Sequence, residues 1–265
     1  VSSVSEVFPS FPAALAACGA GYDDNDIADV IAYKTSLAFD HRRIAPEQAL
    51  NSILALGVCA AEITNQPVRV LDFGSGCGFH YFRVSQATRV PLQWAIVETP
   101  TMAARATKLA NGRFEVYSTI EEASRALGKI DLVHASNAIQ YVPNPAETLK
   151  LLAALGAPFF ALLRFPMWNT PSIVALQRSR LSGNGIGQMP PHIADREVAC
   201  PLTFVNFDAT MRALSEYDLA LSMASPSLKL RISRTTGAGS EPGISFESDL
   251  IGAEFVQRAA RELSA

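Results

Sequence analysis

Val68-Arg69-Val70-Leu71-Asp72-Phe73-Gly74-Ser75-Gly76-Cys77-Gly78-Phe79 begins as a short strand rich in β-branched residues, turns through a glycine-rich loop and leads into a helix from about Phe79. In an α/β sheet, such a strand–loop–helix unit binds nucleotide-like ligands at the carboxyl ends of the strands. Glycine lets the loop adopt positive φ and bring its N–H groups close to a ligand. The pattern continues downstream. Leu92 to Val97 reads as a second strand and Thr99 to Ala110 as a helix. Arg113 to Tyr117 and Ile120 to Leu127 form the next pair, and Ile130 to Ala135 and Pro145 to Leu155 the one after. Pro158 to Leu163 is a fifth strand. Strands and helices alternating at this short spacing predict an α/β fold: a Rossmann-like, mostly parallel sheet with helices on both faces.

Residues 1–66 read as a helical N-terminal extension with an irregular start. Ile27, Val30, Ile31 and Leu37 recur near helical spacing between Asp26 and Phe39. Pro46 can open a second helix with Leu50, Ile53, Leu54 and Val58 inward, and Asn65-Gln66-Pro67 ends it. Residues 67–265 then form the ligand-binding domain. After the fifth strand the alternation breaks. Residues 165–205 hold Pro166, Pro171, Gly183, Gly185, Gly187, Pro190, Pro191 and Pro201, which reads as an insertion or lid with little regular structure. Phe165, Met167, Trp168 and His192 suit a lid that covers the carboxyl edge of the sheet. Phe207 to Tyr217 reads as a helix, Leu219 to Met223 as a strand and Gly237 to Gly243 as a loop. The tail from Ser245 fits a helix or a strand in part.

Composition bounds the function. Of the 265 residues 49% are hydrophobic and 18% charged, as in a well-packed globule. A formal net charge of -3 supplies no basic field for a nucleic-acid backbone, so a small-molecule partner is expected. Cys18, Cys59, Cys77 and Cys200 are widely spaced, which suggests neither a metal site nor a disulfide framework and fits a reducing cytoplasmic compartment. The longest apolar run, around Leu149 to Leu163, is broken by Gly156 and Pro158, so no membrane span is expected. Val1-Ser2-Ser3 lacks a basic region leading into an apolar core, so a signal peptide is not expected there either.

The next residues to weigh are the acids. Glu98 closes the second strand, about 20 residues past the glycines, where a carboxylate can accept hydrogen bonds from both hydroxyls of a ribose. The alternative for Glu98 is a strand-end acid capping the helix opened by Thr99-Pro100. A dinucleotide loop requires a third glycine at position 79, which is Phe79 here. The glycines fall instead at 74, 76 and 78. This disfavours a nicotinamide-dependent oxidoreductase and favours S-adenosylmethionine, a ligand with a ribose, a sulfonium and an amino-acid zwitterion but no phosphate. Asp72 can balance a cationic ligand or hydrogen-bond its own loop.

Asp72-x-Gly74-x-Gly76-x-Gly78 together with Glu98 resembles the first two motifs of class I S-adenosylmethionine-dependent methyltransferases over about residues 60–165. Four further stretches narrow the resemblance: Gly21-Tyr22-Asp23-Asp24, Phe73 through Phe82, Trp94 through Pro100, and Gln140-Tyr141. They are similar to an uncharacterised methyltransferase family whose members often accompany bacterial surface-polysaccharide genes. The resemblance implies that Gly74, Ser75, Gly76 and Gly78 cradle the cofactor. It places adenine near Tyr117 and Ser118, where many relatives carry Asp. It brings Asn137 close to the methionyl part, although a turn Asn is an equal reading.

Methyl transfer asks the protein to align a nucleophile and exclude water, and asks for a base only when the acceptor is protonated. Tyr141 is a candidate for lining the acceptor pocket or for packing on Pro143. His192 is a candidate general base or a solvated loop residue. His80, at a helix start, is expected to be neutral, and His134 structural. Arg164 can meet an anionic acceptor or form a salt bridge. The expected function is methyl transfer to a small or sugar-like acceptor, with a role in surface-polysaccharide biosynthesis. The alternative is a non-catalytic protein of the same fold that senses a ligand or supports an assembly.

Overall fold

The computed structural model describes residues 3–40, 53, 56–57, 67–168, 171–215, 217–225, 229–232, 246–249 and 251–259. The strands are β1 (Ser3–Phe8), β2 (Val68–Phe73), β3 (Leu92–Val97), β4 (Glu115–Tyr117), β5 (Leu132–Ser136), β6 (Phe159–Leu163), β7 (Pro166–Trp168), β8 (Ile173–Arg180), β9 (Glu197–Asn206), β10 (Tyr217–Ser225), β11 (Lys229–Ile232), β12 (Phe246–Asp249) and β13 (Ile251–Ala259). The helices are α1 (Phe11–Cys18), α2 (Asn25–Asp40), α3 (Phe79–Ala87), α4 (Pro100–Ala110), α5 (Ile120–Leu127), α6 (Pro145–Ala153) and α7 (Phe207–Ala213).

The β–α alternation builds the expected sheet, in the order β4-β3-β2-β5-β6-β13-β10. The first five strands are parallel, and β13 runs antiparallel to both β6 and β10. Chain order reverses between β2 and β5. Crossovers leave those two strands in opposite directions and open a crevice at their carboxyl ends.

The strand residues alternate between two cores, which is why they read as apolar runs. Leu71, Ala95, Val97, Val133, Ala135, Phe160 and Leu162 face Ala123 and Leu127 of α5 and Leu149 and Leu152 of α6. Val70, Trp94, Ile96, Leu132, Phe159 and Ala161 face Val84 of α3 and Ala110 of α4 on the other side. The helices start where capping residues allow. Thr99, Thr119 and Asn144 cap α4, α5 and α6 with their side chains.

The insertion departs from expectation. It is not irregular: β8 and β9 form a long antiparallel hairpin with Ile173 opposite Phe204 and Arg180 opposite Glu197. Val198, Cys200, Leu202 and Phe204 are buried at alternate positions along β9, and Pro201, Thr203 and Val205 between them are buried as well, so the middle of the strand is covered on both faces. The irregular start of the chain is likewise a strand, β1, which pairs antiparallel with β8. Segments remote in sequence thus share one sheet, linked to the parallel sheet through β7, which pairs with both β9 and β13. The ambiguous tail contains β12 and β13. Ile53 and Leu56-Gly57 are helical, whereas Leu50, Leu54, Val58 and the Gly237–Gly243 loop lie outside the described residues. Among the described residues no helix is long and apolar enough to cross a membrane.

Candidate functional site

A cleft of about 530 Å³ opens at the carboxyl ends of β2, β3, β5 and β6. That volume falls in the range of about 300–1,000 Å³ usual for small-molecule sites. Gly74, Ser75, Gly76, Glu98, Ser118, Asn137 and Tyr141 all line it. Asp72, Gly78, Tyr117 and His192 do not.

The glycine loop is shaped by packing as much as by backbone freedom. Gly74 has φ +71, and a Cβ there would lie 2.2 Å from that of Ala138. Gly78 caps α3 in a left-handed conformation and packs on the Phe114 ring, which a Cβ would meet at 2.6 Å. The loop is pinned to β3 by Gly74 N–H donating to Val97 O (2.9 Å). Glu98 completes the turn. Its Oε1 accepts from Gly76 N–H at 2.5 Å and its Oε2 from Thr99 N–H at 3.0 Å, while its own N–H donates to Tyr117 O at 3.0 Å. Burial outweighs these hydrogen bonds and pushes the Glu98 carboxyl up to about 7. The Tyr117 carbonyl is thus tied to the residue that follows β3, and its hydroxyl donates to Glu115 outside the cleft.

Asp72 sits beneath the loop, fully buried. It accepts from Trp94 Nε1 at 3.1 Å and pairs with His134 Nδ1 at 2.7 Å. Burial opposes its charge, but His134 more than offsets that and leaves the carboxyl below its ordinary value. The His80 ring lies 4.9 Å from that of His134 and reaches the cleft wall. Burial, reinforced by His134, pushes His80 down to about 3, so it is neutral at physiological pH. This network sets the strand-end geometry from below.

Two cleft residues hold left-handed backbone without being glycine: Asn137 (φ 55) and Arg164 (φ 50), at the ends of β5 and β6. For a bulky side chain such a conformation costs on the order of 1–3 kcal/mol and is typically retained at functional sites. Asn137 N–H donates to Leu163 O (2.9 Å), its Oδ1 accepts from Gln140 Nε2 (2.7 Å), and Arg164 Nε donates to Ser136 Oγ (3.3 Å). Tyr141 reaches the N-terminal segment and β8. Its ring packs edge-on against Tyr22 at 4.4 Å and its hydroxyl donates to Gln177 of β8 at 2.7 Å. Burial raises the pKa of both tyrosines, which keeps them neutral donors.

Tyr22, Ile31, Thr35 and the 183–186 turn also line the cleft, a role that no local period signals. They arrive through long-range contacts. Lys34, buried on α2, donates to Ser182 O at 2.6 Å and Gly185 O at 3.3 Å and so ties the turn of the hairpin over the cleft. Arg196 bridges Asp24 and Asp26 at 3.1 and 2.8 Å, and Arg105 bridges Asp29 at 3.0 Å. His192 is exposed in the same connection, away from the cleft. Among the described residues no cluster of His, Cys, Asp and Glu is arranged to hold a metal.

Residues 39–210, well over half of the chain, match the family model of a methyltransferase domain. The chain belongs to this methyltransferase domain family. An S-adenosylmethionine-dependent methyltransferase from Clostridium acetobutylicum ATCC 824 shares the fold, with a TM-score of 0.50 and 8% identity over 86% of this chain and 98% of that one. An amino pentose methyltransferase from Micromonospora echinaspora, solved with S-adenosylmethionine bound and involved in calicheamicin biosynthesis, superimposes with a TM-score of 0.49. Its identity is 16%, over 86% of this chain and 96% of that one. No curated protein matches the chain.

S-adenosylmethionine fits the donor set of this methyltransferase domain. Glu98 offers a carboxylate to ribose hydroxyls, Val97 and Met102 an apolar wall, and Ser118 and Asn137 polar groups at the two ends. A pyrophosphate fits poorly, because Glu98 occupies the Gly76 N–H that a phosphate would use and repels its charge.

Proposed function

We propose that the protein is an S-adenosylmethionine-dependent methyltransferase acting on a small, sugar-like acceptor. The observation that carries this reading is the placement of Glu98 and the Gly74–Gly76 turn on one cleft wall at the point where strand order reverses, in a chain of the methyltransferase domain family. Bound there, the cofactor would supply an electrophilic methyl group. Glu98 would hold the ribose, Gly74, Ser75 and Gly76 would cradle the methionyl arm, Ser118 would meet adenine and Asn137 would orient the amino-acid end. Tyr22 and Tyr141 would form the acceptor wall, and the hairpin turn held by Lys34 would exclude water. A role in surface-polysaccharide biosynthesis rests on the sequence resemblance.

A second reading is supported by one observation: among the described residues that line the cleft, no side chain apart from Glu98, which this reading assigns to the ribose, is poised as a base. His80 is held neutral at about 3, burial raises Tyr22 and Tyr141, and His192 lies away from the cleft. A non-catalytic ligand sensor would look the same. Incubation with S-adenosylmethionine and a panel of uronic acids, sugar phosphates and amino sugars separates the two. Release of S-adenosylhomocysteine in step with a methylated product supports the enzyme, and tight cofactor binding without turnover supports the sensor.

A further inference from the structure

We infer that the acceptor end of the cleft is an anion site, built around Arg164, for a small molecule bearing a carboxylate or phosphate. The inference rests on the cofactor reading above only for which end of the cleft is the acceptor end.

The cleft is electrostatically lopsided. Among the described residues that line it, Glu98 and Arg164 carry the formal charges, and they stand at opposite ends. Glu98 follows β3 and Arg164 follows β6, so three strand spacings separate them in the order β3-β2-β5-β6. At about 4.8 Å each, that is roughly 14 Å. A ribose at Glu98 with its 5′ substituent running toward Asn137 occupies the β3-to-β5 part. Arg164 lies one strand further on, beside the aromatic wall.

Arg164 is half-buried, and its Nε donates to Ser136 Oγ at 3.3 Å, which fixes the plane of the guanidinium. Its positive charge is felt by Tyr22, Tyr141 and His80, the other polar groups of that end. The left-handed backbone at φ 50 is unfavourable for Arg, and Asn tolerates it better. Backbone strain of this kind clusters at ligand-binding sites, where the side chain's contacts offset it. A guanidinium offers paired N–H donors that match two anionic oxygens. The tyrosine hydroxyls, held as neutral donors, suit the rest of a polyhydroxy ligand.

Arg164→Asn is the discriminating variant, because it removes the charge and relieves the backbone together. Glucuronate, glucose 1-phosphate and glucose, followed by ligand-observed NMR titration, serve as probes of carboxylate, phosphate and neutral sugar. We expect one or both anions to bind the wild type at least tenfold more tightly than glucose. In Arg164→Asn that binding should weaken about ten- to a hundredfold, while a denaturant melt shows equal or greater stability. Arg164→Lys, which keeps the charge but loses the fork, should fall between. Which anion binds identifies the group. Glucose binding as well as either anion, no anion binding to the wild type, or unchanged anion binding in Arg164→Asn overturns the inference. S-adenosylhomocysteine is titrated separately by calorimetry. Its failure to bind would sink the cofactor reading, whereas failure of the anions alone would sink only this one.

Discussion

Glu98 carries the most chemistry of any single residue. A carboxyl whose pKa rises on folding draws protons into the folded state, so the ligand-free protein loses stability as pH climbs from the ordinary 4.5 to about 7. Ribose hydroxyls donating to the ionised carboxylate act in the opposite sense, and binding below about pH 7 must expel the proton. Affinity for S-adenosylmethionine should therefore rise with pH up to about 7 and then level off. Glu98→Gln should lose both pH dependences and bind the cofactor roughly ten- to a hundredfold more weakly at pH 8, as one charge-assisted hydrogen bond disappears. Calorimetry at pH 6 and 8, in buffers of different ionisation enthalpy, reads affinity and proton release together. Unchanged affinity in the variant would remove Glu98 from the site. Gly74→Ala tests the loop itself. The left-handed φ of +71 and a 2.2 Å approach to Ala138 add backbone strain to overpacking, together about 2–4 kcal/mol of stability in a urea melt. A loss under about 0.5 kcal/mol would mean that the loop yields easily and is not held in one shape.

Among the elements, the hairpin β8–β9 and the helix α2 meet at Lys34, whose ammonium is spent on two carbonyls of the turn over the cleft. Lys34→Met keeps the buried stem and removes those charge-assisted bonds, worth about 1.5–3 kcal/mol each at most. The turn should open more often, with faster hydrogen exchange across residues 182–187 and a cofactor off-rate raised several-fold, while the β2–β6 strands keep their protection. Exchange that stays the same at 182–187 would show that the turn is held elsewhere. The same elements show what could be read from sequence and what could not. The β2-to-β6 repeats were legible because strands covered on both faces are apolar runs such as Val68–Phe73, each closed by a capped helix. The insertion misled because Gly183, Gly185, Gly187, Pro190 and Pro191 cluster in one connection and drew attention from the apolar residues Val198, Cys200, Leu202 and Phe204 beside it. β1 pairs with β8 across some 170 residues, and no local period reports such a partner. Glu98 and the glycines were readable because their function is tied to one strand end. Tyr22 and Ile31 were not, since they reach the cleft only through the packing of α2 on α4 and of the 21–23 turn on β9.

For the whole molecule, the cleft is where three parts of the chain converge. The parallel sheet supplies Glu98 and the glycine turn, the N-terminal segment Tyr22 and Ile31, and the insertion residues 183–186. A ligand bridging them should stabilise the protein as a unit. Binding to the folded state alone adds about 2.7 kcal/mol at a ligand concentration a hundred times the dissociation constant. For a chain of this size that corresponds to roughly 5–10 °C in the melting midpoint. We expect S-adenosylmethionine and S-adenosylhomocysteine to give shifts of this order at pH 8, where Glu98 is ionised. NAD and NADP should give none. Their pyrophosphate would have to displace Glu98 from Gly76 N–H and remain beside its charge, and the position of a third loop glycine is held by Phe79, whose ring meets that of His80 edge to face at 5.5 Å. The comparison also separates specific from diffuse binding. In Lys34→Met the S-adenosylhomocysteine shift should shrink, because part of what the ligand holds together is already loose, whereas a ligand bound to the sheet alone would shift both proteins equally. A shift with NAD but not with S-adenosylhomocysteine would contradict the cofactor assignment at its root, since both ligands carry an adenosine ribose, and NAD adds to it the phosphates that Glu98 disfavours while lacking the amino-acid arm.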